Sequence, residues 1–256
     1  ADASAERFRA TDQIRIYKRA LGIMDKHYGD DSKEYAELSF RMGRNVYEMS
    51  ASPWGEKYVD RACDLFEEHY GPTDRRVGAC KLTLGQTKMS DGYFSQSLPH
   101  FEKALTAFEG DTDVDRSYRV RVNSLIVRSL EETNREDDAT ERLLAIGRDL
   151  EHAPPAEYAP VYRVPPEYPE VMLARGIQGY VDVELTVDAE GFVRDAVVAD
   201  SGALGDEPQD GASYEAFHSP ALRSVRQYRY APKFKDGKPT ATSNVKTRVT
   251  FQFRRR

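Results

Sequence analysis

The sequence predicts an α+β protein of two domains: an all-α helical-repeat array, then a small antiparallel sheet with a packed helix. Three observations predict it. Small and aromatic markers recur at a fixed spacing in the first 150 residues. A proline-dense stretch then interrupts the chain. Clean alternation of apolar and polar residues appears only beyond that stretch.

The repeat is read from three segments. "RALGIMDKHYGDD" (19–31) returns as "RACDLFEEHYGPT" (61–73) and more loosely as "KALTAFEGDTD" (103–113), so Ala20, Ala62 and Ala104 stand 42 residues apart. Gly43 and Gly85 keep the same register. Each unit has room for two helices and a turn. The endings His27-Tyr28-Gly29 and His69-Tyr70-Gly71 are helix stops, with glycine at the left-handed position after the last turn. The alanines let a partner helix approach closely, while Tyr17, Val59 and Phe101 fill the rest of the apolar stripe. Neighbouring units stack because one pair of helices cannot cover its own apolar face.

These segments resemble tetratricopeptide (TPR) repeats of the 42-residue type seen in kinesin light chains. "GYFSQSLPHFEKAL" (92–105) carries that family's second-helix pattern at Gly92, Tyr93, Leu98, Phe101, Ala104 and Leu105. The resemblance covers roughly residues 8–150, the last pair around "TERLLAIG" (140–147) being degenerate. It implies a concave, protein-binding groove, with Phe40, Arg44, Tyr47, Gln86 and Arg128 as its candidate residues. The family's carboxylate-gripping members carry asparagine one residue after the glycine. Arg44, Gln86 and Arg128 occupy those places here, so that chemistry is not implied.

"APPAEYAPVYRVPPEYP" (153–169) removes amide donors and favours extended backbone. The domains therefore read as 1–150 for the array, 151–165 for a proline-rich linker and 166–256 for the second domain. In "GYVDVELTV" (179–187), Val181, Val183, Leu185 and Val187 share one face and Asp182, Glu184 and Thr186 the other. "DAEG" (188–191) is a turn, and "FVRDAVVADS" returns as a second strand. A polar loop (202–213) leads to a helix with Ser219 as N-cap and Pro220 at its first position. "SNVKTRVTFQFR" (243–254) alternates again, with Val245, Val249, Phe251 and Phe253 inward. The order is short helix, strand, strand, helix, strand.

That order, with these words, resembles the carboxy-terminal domain of TonB proteins. The likeness rests on "EYP" (167–169), "ARGIQGYVDVELTVDAEGFV" (174–193), "ALRSVRQYRYAPKFKDGKP" (221–239) and the last strand. It implies binding without chemistry: capture of an extended segment of an outer-membrane transporter, or of another envelope protein, added as a strand to an exposed sheet edge. Carried over, the peptide-binding positions are Pro166, Glu167, Tyr168 and Pro169, with Ser243, Asn244, Val245, Lys246, Thr247, Arg248, Val249 and Thr250. Lys246 and Arg248 either favour an acidic partner or simply keep the edge from aggregating; both readings stay open. Arg229, Lys233, Lys235 and Lys238 among aromatic rings could suggest a nucleic-acid grip. The family pattern makes them a helix exit and a solvated turn instead.

Composition agrees. With 37 basic and 43 acidic residues the net charge is −6, which argues against duplex binding by the whole chain. Residues 1–162 sum to about −7 and the remainder to about +1. No apolar run is long enough to cross a bilayer. Ala1 fits a cleaved signal peptide or a removed membrane anchor, so a periplasmic place in a Gram-negative cell, anchored or not, is expected. His27, His69, His100, His152 and His218 show no metal spacing, and no nucleotide or hydrolase motif occurs, so no enzyme, metal or cofactor is expected. Cys63 and Cys80 both fall at core positions of adjoining helices; spacing alone does not decide whether they are bonded. The expected function is a protein-binding adaptor, with protein partners on both domains and self-association possible. The alternatives are an envelope scaffold without a transport role, or the soluble part of an anchored energy transducer.

Overall fold

A computed structural model describes residues 3–50, 53–151, 157–204 and 213–253. It divides into two compact units, Ala1–Thr133 and Asn134–Arg256. Residues 152–156, with His152 and part of the proline-rich linker, and 205–212 of the polar loop lie outside the described residues.

The first unit is helical: α1 (Ala3–Tyr28), α2 (Lys33–Ser50), α3 (Pro53–Tyr70), α4 (Arg75–Ser90), α5 (Phe94–Leu105) and α6 (Asp113–Glu131), with a 3-10 turn at Thr106–Phe108. Gly29 and Gly71 end their helices at φ +87° and +85°, as the repeated endings predict. Asp74 caps α4 through the Arg76 amide, and Thr112 and Asp115 form a reciprocal capping box at α6. The repeat glycines mark close helix approaches. A Cβ on Gly43 would collide with the Gly55 carbonyl and Val59, and one on Gly85 with the Phe101 ring. Val59, Ala62, Leu65, Phe101 and Ala104 are buried, and a disulfide joins Cys63 on α3 to Cys80 on α4 within that core.

The second unit begins with α7 (Glu136–Leu150), followed by α8 (Glu170–Ala174), β1 (Gly179–Val187), β2 (Val193–Ala203), a 3-10 turn (Tyr214–Phe217), α9 (His218–Val225), β3 (Lys233–Lys235), β4 (Lys238–Thr240) and β5 (Thr242–Phe251). The sequence reading put residues 136–150 in the array. In the structure α7 packs within this second unit, and its chemistry explains why. Gly147 carries no side chain where the Pro232 carbonyl and the Phe234 ring close in, and Arg148 lies 5.7 Å from the centre of that ring.

The sheet is antiparallel in the order β2-β1-β5. Along β1 every second residue, Val181, Val183, Leu185 and Val187, is buried, as the alternation predicts. They meet Phe217, Ala221 and Val225 beside α9 and the rings of Tyr228 and Tyr230, which are 4% and 0% exposed. The helix exit thus supplies core rather than a nucleic-acid grip. Arg229 is buried as well: its guanidinium lies 3.8 Å from the Phe192 ring centre and donates to Thr140 Oγ1 at 2.6 Å.

Three details differ from the sequence reading. The helix starts before Ser219: Ser213 accepts from the Glu215 amide, and a 3-10 turn runs directly into α9, so no cap is needed at Ser219. The solvated lysine turn is a short hairpin, β3–β4, around Asp236 and Gly237. Phe253 lies past the end of β5 and is 38% exposed.

A candidate strand-docking edge

A three-stranded sheet has two edges, and these two differ. β2 meets β1 with two register shifts, at Asp182/Val183 and Glu184/Thr186, and Asp195 takes φ +52° near the second. Such bulges twist a strand and interrupt its row of outward amides and carbonyls. β5 has one shift, near Ser243 and Asn244, the latter at φ +57°. From Val245 to Phe251 its pairing with β1 is unbroken. No third strand pairs with the other side of β5 among the described residues. Alternate residues along this stretch therefore turn their main-chain groups outward.

The side chains of β5 divide as predicted. Val245, Val249 and Phe251 enter the core, while Lys246, Arg248 and Thr250 are exposed. Arg248 is already engaged: its Nε and Nη2 donate to Asp182 at 2.7 and 2.6 Å, and its guanidinium lies 4.0 Å from the Tyr180 ring centre. Tyr180 donates to Asp200 at 3.1 Å. Hydrogen bonds from Arg248 hold the Asp182 carboxyl below the usual carboxylate range, and accepting from Tyr180 lets Asp200 push that phenol up. Lys246 stands opposite Glu184 in the register.

The "EYP" residues meet the far end of the same strand. Tyr168 donates to the Ile177 carbonyl at 2.6 Å, stacks on Phe253 and sets its edge against Phe217 and Phe251. Glu167 is exposed and pairs with Arg223 at 3.1 Å; Pro166 and Pro169 are half-buried. Tyr168 therefore ties the segment to the Phe251 end of β5, while Ser243 and Asn244 sit at the opposite, bulged end. Sequence reasoning missed Tyr158 and Arg163, which share a cavity of about 600 Å³ with Asp182, Lys246, Thr247 and Arg248. An aromatic residue inside a proline-rich stretch was the available signal.

In the first unit, Phe40 and Arg44 of α2 line a cavity of about 410 Å³ with Arg41, Phe66, Arg75 and Arg76. Tyr47 donates to the Thr87 carbonyl at 3.2 Å, tying α2 to α4. Gln86 is half-buried and Arg128 exposed, and neither lines that cavity.

Residues 164–254 match the family model of the Gram-negative bacterial TonB protein C-terminal. The carboxy-terminal part of this chain is TonB-like. Protein TonB of Vibrio cholerae serotype O1 is 31% identical over 80 residues, 31% of this chain. The match spans 28% of that relative's own length. Among solved structures, a kinesin light chain from Podosopora anserina with nearly identical TPR-like repeats aligns over 59% of this chain and 72% of its own. The TM-score is 0.50 at 9% identity. A point variant of the same light chain gives a TM-score of 0.51 at 10% identity, over 59% and 71% of the two chains. These last two establish the fold of the helical part alone: TPR-like repeats.

Proposed function

We propose that this chain is a protein-binding adaptor of the Gram-negative periplasm. Its TonB-like unit captures an extended segment of an outer-membrane transporter or another envelope protein by strand addition to β5, while the TPR-like groove holds a second protein. The unbroken, unpaired margin from Val245 to Phe251 carries this reading. A row of free amides and carbonyls is worth most to a ligand that is itself backbone. The Cys63–Cys80 disulfide is consistent with an oxidising compartment. No helix among the described residues is long and apolar enough to cross a membrane.

The test is titration of the full chain with peptides from the plug segments of outer-membrane transporters, followed by backbone amide shifts. Perturbation concentrated on 243–252 supports the docking role. Peptides that bind without touching those amides would reject it.

A further inference from the structure

The 42-residue repeat sets α1 in register with α3, so that Ile16, Ala20, Ile23 and Met24 take the places of Tyr58, Ala62, Leu65 and Phe66. In α3 that face is covered by the helices before it. Phe66 meets the Phe40 ring of α2 edge-on at 6.0 Å, and Tyr58 packs against the cluster of Leu21, Met42 and Val46. Leu65 is 0% exposed, and Ala62 is buried with it. In α1 the same face is open: Ile16 is 64% and Ile23 52% exposed, while Ala20 and Met24 are half-buried. A helical array ordinarily ends in a polar outer face. Here the end carries isoleucines at i and i+7 with a small residue between them, the spacing of one helical stripe.

Shape and charge define what fits that stripe. Its counterpart in α3 takes helices, so the occupant is a helix with an apolar stripe of its own. It is not a helix seated as the array seats its own. Gly55 admits α2 so closely that a Cβ there would meet the Gly43 carbonyl, and Gln13 holds the equivalent place in α1. The close approach moves instead to Ala20. Along one border Arg19 and Lys26 are exposed, Lys26 standing where α3 has Glu68, and the nearby Asp12 is tied to Arg15 at 3.0 Å. Two copies of α1 crossing antiparallel at Ala20 would set Arg19 against Arg19, which disfavours self-pairing. Carboxylates along the border of a different helix would complement it.

We propose that the Ile16–Ile23 face of α1 docks an amphipathic helix of another protein, one whose apolar stripe is bordered by Asp or Glu. This surface is separate from the β5 edge and from the groove between α2 and α4, and it stands whether or not either of those binds.

The test uses the full chain and two synthetic helices about five turns long. Both carry the same stripe of Leu and Ala, bordered by Glu in one and by Lys in the other. Affinity is read by titration and the footprint by hydrogen–deuterium exchange. The Glu-bordered helix is expected to protect 12–28 and to bind at least about fivefold more tightly than the Lys-bordered one at low salt. The double variant Ile16→Ser, Ile23→Ser changes only exposed side chains and keeps the fold. It is expected to lose at least about tenfold in affinity, the effect of one isoleucine left unburied. Equal affinity for the two helices, no loss in the double variant, protection outside 12–28, or no binding at about 1 mM overturns the proposal. Sedimentation of the free chain as a dimer that the double variant abolishes also overturns it, making a second copy the occupant. Capture by phosphatidylglycerol vesicles that depends on the two isoleucines does the same, making the occupant lipid.

Discussion

Arg248 and Asp182 face each other across β5 and β1 as a two-pronged pair, with two guanidinium nitrogens, Nε and Nη2, within 2.7 Å of the carboxylate. The register places them opposite each other, and the guanidinium lies 4.0 Å from the centre of the Tyr180 ring. Because the Asp182 carboxyl is held below its ordinary pKa of about 4, the pair stabilises the fold fully above that value. The contribution is lost as pH falls through the lowered pKa. Asp182→Asn is therefore expected to lower the urea midpoint clearly at pH 7 and much less at pH 2. An equal loss at both would show that the ion pair is not the cause.

Tyr158 gives the opposite dependence. Burial pushes its phenol up to about 12, above the ordinary value of about 10. A raised pKa favours the protonated folded form, so this stabilisation is complete below pH 10 and fades towards pH 12. Tyr158→Phe loses the bond to the Ala231 carbonyl and is expected to cost about 1 kcal/mol at pH 7. The gap to the parent should shrink as pH rises from 10 to 12. Denaturation curves across that window measure it.

Gly191 sits at φ +88° in the turn between β1 and β2, and a Cβ there would strike the Tyr230 carbonyl. Backbone on one side and an unfavourable φ on the other leave no cheap relaxation. Gly191→Ala is expected to destabilise the protein by about 2–4 kcal/mol. Gly237→Ala, also at positive φ but with open space around it, should cost less. Thermal melts of the two variants make the comparison.

The disulfide closes a loop with a sequence separation of 17 and is buried at both sulfurs. The double variant Cys63→Ser, Cys80→Ser is expected to lose about 3 kcal/mol. Native protein should resist reductant until it is partly unfolded. Thiol labelling with and without denaturant checks this.

Lys246 is exposed on the docking edge, whereas the charge of Arg248 is engaged by Asp182. Lys246→Glu is expected to slow association with a captured acidic peptide and reverse its salt dependence, with little change in dissociation. Stopped-flow binding at two salt concentrations separates the two rates.

Much of the fold is legible in the sequence because it follows periodicity. β1 and β5 alternate visibly, and Gly29 and Gly71 end helices for a purely local reason. What escaped depends on distant neighbours. Arg229 reads as a surface cation until Phe192 and Thr140 are brought against it from 37 and 89 residues away. The place of α7 was hidden because its apolar stripe would suit either a repeat or a sheet partner. Gly147, which admits Phe234, became informative only once both were in place. Of the candidate site, Tyr168 and the β5 margin were readable from their pattern. Tyr158 was not, since its partners lie on a loop more than seventy residues later.

The unequal rims of the sheet also limit how far it can grow. One flank is straight enough to receive a guest strand; the other is kinked twice and makes a poor template. Any chain that docks therefore finds no matching flank opposite on which a third could continue. Two copies joined flank to flank would likewise leave only kinked borders facing outward. The two register shifts of β2 thus work against runaway strand-on-strand growth of this sheet.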